Sequence, residues 1–317
     1  MNIKRLENQY LNPHFVTGFI DAEGCFHISL VNNLNLKLRL SVRAVFQIAL
    51  HKKDLGLLEK LREFFGVGKV IVRSDGAVYY QVSSLEDLIL IIKHLDNYPL
   101  ITHKWADFEL FKSVVYMMWN KEHLTEEGLA KIVNIKAAMN FGALSKELLS
   151  RFIDVKPVKR PIKKDIQVAH PFWVSGFVEG EGMFFVNIYK RKDSTLGEGV
   201  KIVFKITQDL RNSEVLAMFN NIFSCGKVYR QSPSAKVHDF LITGLSDILK
   251  YVIPFFLAYP LEGAKHKEFL DFVKVGELMK DKAHLKKDGL EQIRLIKSGI
   301  NRGRELPHII EPVLDEE

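Results

Sequence analysis

The sequence predicts an α+β protein of two pseudo-symmetric halves, each with an antiparallel sheet, joined where one helix from each half meets its counterpart. Three observations predict this. First, two nonapeptides read almost alike, Val16-Thr17-Gly18-Phe19-Ile20-Asp21-Ala22-Glu23-Gly24 and Val174-Ser175-Gly176-Phe177-Val178-Glu179-Gly180-Glu181-Gly182. Second, their offset of 158 (181 − 23) also relates Phe46-Gln47-Ile48 to Phe204-Lys205-Ile206 and Gly68-Lys69-Val70 to Gly226-Lys227-Val228. From Tyr98-Pro99-Leu100 and Tyr259-Pro260-Leu261 the offset is 161, as if three residues had entered. Lys104, His123-Leu124, Gly128-Leu129, Lys136, Asn140 and Gly142 keep that offset to Lys265, His284-Leu285, Gly289-Leu290, Lys297, Asn301 and Gly303. Such a period is too long for a solenoid and is the size of a domain. A tandem duplication should pack as a homodimer's subunits do. Third, the hydrophobic period in each copy changes from 3.6 to 2 directly after the nonapeptide.

Residues 14–23 and 171–181 open near Pro13 and Pro171 and run as apolar helices. Gly24 and Gly182 stand where a C-cap takes a left-handed residue. The pairs Gly18/Ala22 and Gly176/Gly180 lie at i,i+4, giving each helix one small face that permits close packing at the seam. Glu23 and Glu181 then fall at helix C-termini, where a carboxylate is unfavourable by roughly 0.3–1 kcal/mol. The same disadvantage twice points to a site that wants negative charge, the usual reason being a divalent cation held by oxygen ligands.

Strands follow each helix. Phe26, Ile28 and Leu30 alternate with Cys25, His27 and Ser29; Leu38, Leu40, Val42, Ala44 and Phe46 alternate with Lys37, Arg39, Ser41, Arg43 and Gln47. In the second half Val200, Ile202, Phe204 and Ile206 alternate with Lys201, Val203 and Lys205. Further strands after Gly68 and Gly226 carry Lys69, Arg73 and Gln81, then Lys227, Tyr229, Gln231, Asp239 and Thr243, on their polar faces. One core face and one solvated face is the antiparallel pattern. Helices are predicted at 54–65, 85–95, 103–119 and 126–140, and at 212–223, 245–253, 264–280 and 287–299. The divisions are 1–153 for the first half, 154–170 for a linker, 171–303 for the second half and 304–317 for an acidic tail. The linker segment 156–164 has two prolines and five bases, which fits an extended bridge on the side of a polyanion and a plain exposed linker equally.

The net charge of +7 points to a polyanionic partner, and without the segment from Arg304 onward it is +11 (44 bases, 33 acids). Lys, Arg, Gln, Asn, Ser and Tyr on the polar sheet faces are the types that bond phosphates and base edges. No apolar run approaches the roughly 18 residues of a membrane span, and the N-terminus lacks a signal-peptide core. Cys25 and Cys225 do not occupy matching repeat positions, so a disulfide framework is not expected and an intracellular location fits. His51, His103, His123 and His284 form no metal-ligand pattern; the last two follow the repeat and are read as packing or capping residues. Zinc motifs, a Walker loop and a dinucleotide fingerprint are absent from the sequence.

The two nonapeptides, in register with matched domain sequence, resemble the motif of the LAGLIDADG homing endonucleases in their single-chain, two-motif form. The Tyr-Pro-Leu and His-Leu…Gly-Leu segments resemble that family's organellar intron-encoded branch. The resemblance implies αββαββα-type halves whose sheets form a saddle over double-stranded DNA, with the motif helices at the seam. It implies Glu23 and Glu181 as catalytic acids that hold Mg2+, with Mn2+ or Ca2+ as substitutes, over the scissile phosphates. It further implies double-strand breaks with short 3′ overhangs. Lys104 and Lys265 match a lysine near those phosphates. Gln208 matches a position that contacts active-site water; its counterpart is Leu50, so the half-sites are not equivalent. Asp21 and Glu179 are expected to be structural. The expected DNA contacts are His27, Ser29, Lys37, Arg39, Ser41, Arg43, Gln47, Lys69, Arg73, Gln81, Asn187, Tyr189, Lys201, Lys205, Lys227, Tyr229, Gln231, Asp239 and Thr243. A monomer of mitochondrial origin is expected. An intron maturase acting on RNA, or a DNA-binding regulator, are the other readings of the same scaffold.

Overall fold

The computed structural model describes residues 11–300 apart from Phe141, 164–168 and Pro233; the N-terminal segment, Lys164, Asn301, Gly303 and the acidic tail lie outside the described residues. Helix α1 (Pro13–Glu23) runs straight into β1 (Gly24–Asn32), and β2 (Leu40–His51), α2 (Leu55–Phe65), β3 (Lys69–Val72), β4 (Ala77–Val82) and α3 (Leu85–Asn97) follow. Helices α4 (Lys104–Trp119), α5 (Glu126–Ala138) and α6 (Lys146–Arg151) close the first half. The second half repeats this order with α7 (Pro171–Glu181), β5 (Gly182–Lys190), β6 (Glu198–Asp209), α8 (Ser213–Phe223), β7 (Lys227–Arg230) and β8 (Val237–Ile242). It ends with α9 (Leu245–Asp247), a π-helical segment (Ile248–Val252), α10 (Ile253–Ala258), α11 (Lys265–Lys280) and α12 (Lys287–Gly299). The sheets have the same antiparallel topology, β1-β2-β4-β3 and β5-β6-β8-β7. Each buries one face in its own core, one around Phe26, Phe46, Tyr80 and Phe111, the other around Phe184, Phe204, Phe240 and Phe256.

The three extra residues of the second half now have places. Lys69 pairs with Gln81 and Lys227 with Leu241, so β3 and β7 keep the offset of 158 while β4 and β8 differ by 160. Two residues therefore lie in the β7–β8 turn. The third lies between Leu245 and Tyr259, where the helix matching α3 takes up one residue as a π-helical turn.

Helices α1 and α7 pack directly against each other. A Cβ on Gly18 would stand 2.0 Å from the Trp173 carbonyl oxygen, and one on Gly176 would stand 2.0 Å from that of Phe15. Each glycine thus admits the other helix's backbone, as the small faces predicted. The C-cap expectation is corrected. Gly24 (φ −66°) and Gly182 (φ −83°) are extended, not left-handed, because each helix passes into its strand without a turn. Their lack of a side chain serves a different end: a Cβ on Gly24 would lie 2.7 Å from the Ile20 carbonyl oxygen, and one on Gly182 would lie 2.4 Å from Val178 Cγ1.

The predicted strand from Lys37 is also shortened. Lys37, Leu38 and Arg39 belong to the β1–β2 turn, where Arg39 is left-handed (φ 51°) and donates its amide to the Leu36 carbonyl. The linker is neither free nor uniformly exposed. Asn134 Oδ1 accepts the Lys156 amide at 2.8 Å, and Arg160 forks onto Asp107 at 2.7 and 3.0 Å. Lys163 donates to the Leu100 carbonyl. Two of its five bases are therefore spent on the first half, Arg160 on α4 and Lys163 on the segment before it.

Candidate active site and nucleic-acid interface

Close packing of α1 and α7 carries Glu23 and Glu181, their last residues, to one end of the seam. A Cβ on Gly180 would lie 3.1 Å from Glu23 Oε1, so the two tips are immediate neighbours. Burial pushes the Glu181 carboxyl above its ordinary range, and the charge of Glu23 pushes the same way; a hydrogen bond from Gln208, with Lys104 and Lys265, pulls against them. Two carboxylates held this close repel unless a cation or proton intervenes.

Asp21 and Glu179, two positions earlier, set the angle at which the tips are presented. Asp21 accepts from the Ile101 amide (2.7 Å), the Thr102 amide (3.2 Å) and hydroxyl (2.7 Å), and, across the seam, the Trp173 indole (2.9 Å). Glu179 accepts from the amides of Glu262, Gly263 and Lys265 at 2.9, 3.1 and 3.3 Å. Burial raises both pKa values, and these amides, with the lysines nearby, oppose it. Each acid thereby ties a motif helix to the start of α4 or α11, where unpaired amides favour an anion.

That tie places the lysines. Lys104 Nζ donates to the Ile20 and Ala22 carbonyls at 3.2 and 3.0 Å, and Lys265 Nζ to the Gly180 and Gly182 carbonyls at 3.2 and 2.5 Å. A cation at a helix C-terminus offsets the partial negative charge there, so each lysine relieves the field that the terminal glutamate meets. Burial lowers the Lys104 pKa, with Asp21, Glu23 and Glu181 acting against it. Beside the α1 tip lies a cavity of about 90 Å³ lined by Cys25, His103, Lys104, Asp107 and Arg211.

Gln208 lies at the end of the buried face of β6, 7% exposed, within reach of Glu181. Leu50, the second-last residue of β2, takes its place in the first half. On the polar sheet faces, Cys25, Gln47, Gln81 and Lys69 form one row across four strands, and Met183, Lys205, Leu241 and Lys227 form its counterpart. Ser29 stands opposite Arg43, Asn187 opposite Lys201, and Tyr189 opposite Gly199. His27, Arg43, Lys69, Arg73, Lys201, Lys227, Tyr229, Gln231 and Thr243 are exposed, whereas Ser41, Gln47, Gln81, Asn187 and Lys205 are half-buried. Asp239 is buried and accepts from the Thr207 hydroxyl (2.6 Å) and the Gln231 amide (3.0 Å) while pairing with Lys205 (2.8 Å), so it faces inward to its neighbours. Sequence reasoning missed Trp173 and Asn212. An indole in a motif helix reads as core, and an asparagine before a helix reads as its cap.

A duplicated α+β scaffold with two acidic helix tips at the seam defines the class of protein. The LAGLIDADG endonuclease family model matches residues 16–115 and 174–276, and the chain belongs to that family. It is 41% identical over 292 residues to a probable intron-encoded endonuclease 3 of Neurospora crassa, covering 90% of this chain and 54% of that protein. It is 36% identical to the same organism's probable intron-encoded endonuclease 2, covering 92% and 65%. The chain thus spans between about half and two thirds of the length of these relatives. Among solved structures, the I-SmaMI LAGLIDADG homing endonuclease bound to cleaved DNA superposes with a TM-score of 0.90 at 38% identity, covering 93% of this chain and 98% of that one. I-CpaMI bound to uncleaved DNA gives 0.86 at 33% identity, covering 92% and 100%.

Proposed function

We propose that this chain is a site-specific homing endonuclease that makes double-strand breaks in a long DNA target, using Mg2+ at Glu23 and Glu181 and leaving short 3′ overhangs. The observation that carries the proposal is the meeting of two carboxylates, one from each half, at adjacent helix tips. The donor set fits a hard cation. Among the described residues no three His, Cys, Asp or Glu side chains gather as a metal cage. Mg2+ characteristically uses one or two carboxylates and keeps waters or phosphate oxygens in its remaining positions. I-SmaMI has been solved with an uncleaved DNA target in the presence of calcium ions, which supports Ca2+ as a substitute.

A bound divalent ion supplies charge neutralisation at the phosphate and a lowered pKa for a coordinated water. The chain's own groups do the rest. Glu23 and Glu181 orient the two centres, one per strand. Lys104 and Lys265 hold the helix ends that carry them and add positive charge beside the scissile groups. The polar rows around Gln47, Gln81, Lys69, Lys205 and Lys227 bind phosphates and base edges. Both motifs reside in one chain, so a monomer suffices. We assign 1–153 and 171–303 as the two DNA-contacting halves, 154–170 as the linker and 304–317 as a tail. A mitochondrial intron is the proposed origin, supported by intron-encoded relatives that include a protein in ND4 intron 1 of Podospora anserina.

Selecting cleaved sites from a randomised duplex library identifies the target, and a plasmid carrying it gives the assay. With Mg2+ the supercoiled plasmid is expected to become linear, and with chelator it should not. Glu23→Gln and Glu181→Gln are each expected to slow cleavage by at least about 100-fold, the scale on which a preorganised electrostatic group acts. Linearisation at the unaltered rate by either variant would overturn the assignment.

A further inference from the structure

Asn212 occupies the N-cap position of α8, where asparagine ordinarily accepts from an amide of its own helix. Its side chain makes no such bond. Instead its Oδ1 accepts from His103 in the other half, from the backbone amide at 3.0 Å and from ring Nδ1 at 2.9 Å. A backbone N–H can only donate, so the atom facing it is the amide oxygen. That leaves Asn212 Nδ2 to donate to Gln208 Oε1, at 2.6 Å. With its oxygen occupied, Gln208 turns its own NH₂ toward Glu181, with which it shares a hydrogen bond. One backbone donor of the first half thereby orients two successive amides and the carboxylate of the second. Asn212 and Gln208 are 4% and 7% exposed, so little solvent competes for these bonds.

The matching side of the molecule has the strut and not the relay. Asp54 corresponds to Asn212 and Ala264 to His103, and Asp54 Oδ1 accepts the Ala264 amide at 3.3 Å. Asp54 when ionised has no N–H to pass on, and Leu50 in place of Gln208 has nothing to receive one. The contact between halves needs only an acceptor at this position. The asparagine's donor is needed only where a glutamine stands before the carboxylate.

We propose that Asn212, anchored by His103, is a positioning residue that locks the Gln208 amide toward Glu181, so that only one of the two carboxylate centres is preorganised in this way. The proposal rests on the nuclease reading above. Asn212→Asp tests it, because it keeps the acceptor for His103 as Asp54 does opposite and replaces the donor to Gln208 with a charged acceptor; Asn212→Ser is the uncharged control that separates loss of the donor from gain of charge. In end-labelled target duplex both variants are expected to slow one strand by about tenfold, the scale of one hydrogen bond, and to leave the other strand within about twofold, so that nicked circles accumulate when the plasmid is the substrate. Combining Asn212→Ser with Gln208→Leu should be no slower than Gln208→Leu alone, since a residue acting through another is non-additive with it. Equal slowing of both strands, or additive losses, would overturn the proposal in favour of a purely structural strut. An independent readout needs neither metal nor DNA: in 15N-labelled protein the Gln208 side-chain NH₂, assigned by its loss in Gln208→Leu, should be protected from water exchange and lose at least about tenfold of that protection in Asn212→Asp. Unchanged protection would refute the relay. A chain that cuts no duplex but shows the protection change would refute the nuclease reading and leave the relay standing.

Discussion

His94 packs against Phe64 and Phe65, with its Nε2 3.1 Å from the Thr17 hydroxyl of α1. Burial, with the charge of His14, pushes its imidazole down to about 4 from 6.5. Because the folded value lies below the unfolded one, the neutral ring contributes stability above pH 6.5 that is lost as pH falls toward about 4. The gap caps the effect at about 3 kcal/mol. Thermal unfolding midpoints from pH 7 to roughly pH 4.5 should therefore fall more steeply for the native chain than for His94→Gln; parallel curves would contradict this. At the same scale, Glu23 and Glu181 were legible because an acid at a helix C-terminus is locally unfavourable and was written twice. Asn212 was not legible. Its local grammar is that of a cap, and its partners His103 and Gln208 are set by how the halves meet.

At the scale of elements, the α1–α7 seam is built on absent side chains. Gly176→Ala would place a methyl 2.0 Å from the Phe15 carbonyl oxygen, and backbone must move to admit it. We expect destabilisation of at least about 2 kcal/mol, as overpacking exceeds the gain of roughly 1 kcal/mol in helix propensity. Gly56→Ala on α2 is the control: a Cβ there meets nothing within 4 Å, and the same propensity gain should appear as stabilisation of up to about 1 kcal/mol. Chemical denaturation of both variants checks the pair, and equal shifts would sink the account of the seam. The π-helical turn at Ile248–Val252 shows the opposite tolerance. An inserted residue is absorbed within a helix that only covers a core, whereas the seam has no such slack.

At the scale of the whole molecule, a net charge of +7 and two polar sheet faces predict DNA affinity that falls steeply with salt. Contacts to six or more phosphates would weaken binding by about 1,000-fold between 50 and 200 mM salt. Lys69→Ala and Lys227→Ala should each reduce the log–log salt slope by about 1. Arg160→Ala should leave that slope unchanged and lower stability by about 1–3 kcal/mol, because Asp107, which is 5% exposed, loses its charged partner and keeps only the Asn140 amide. Fluorescence anisotropy across a salt series separates the two kinds of base; an Arg160 variant that changed the slope would return the linker to the DNA side.

Periodicity and repetition in the sequence determined the strands, most helices and the duplication, because alternation of 2 or 3.6 and a recurring offset survive in one dimension. They also singled out the paired glutamates. Only the tertiary structure decided that Gly24 and Gly182 are extended, that Arg160 and Lys163 of the linker bind the first half, and that Lys104 and Lys265 grip the ends of the motif helices. Each depends on which backbone lies across the contact, a distance in space that separation along the chain does not encode.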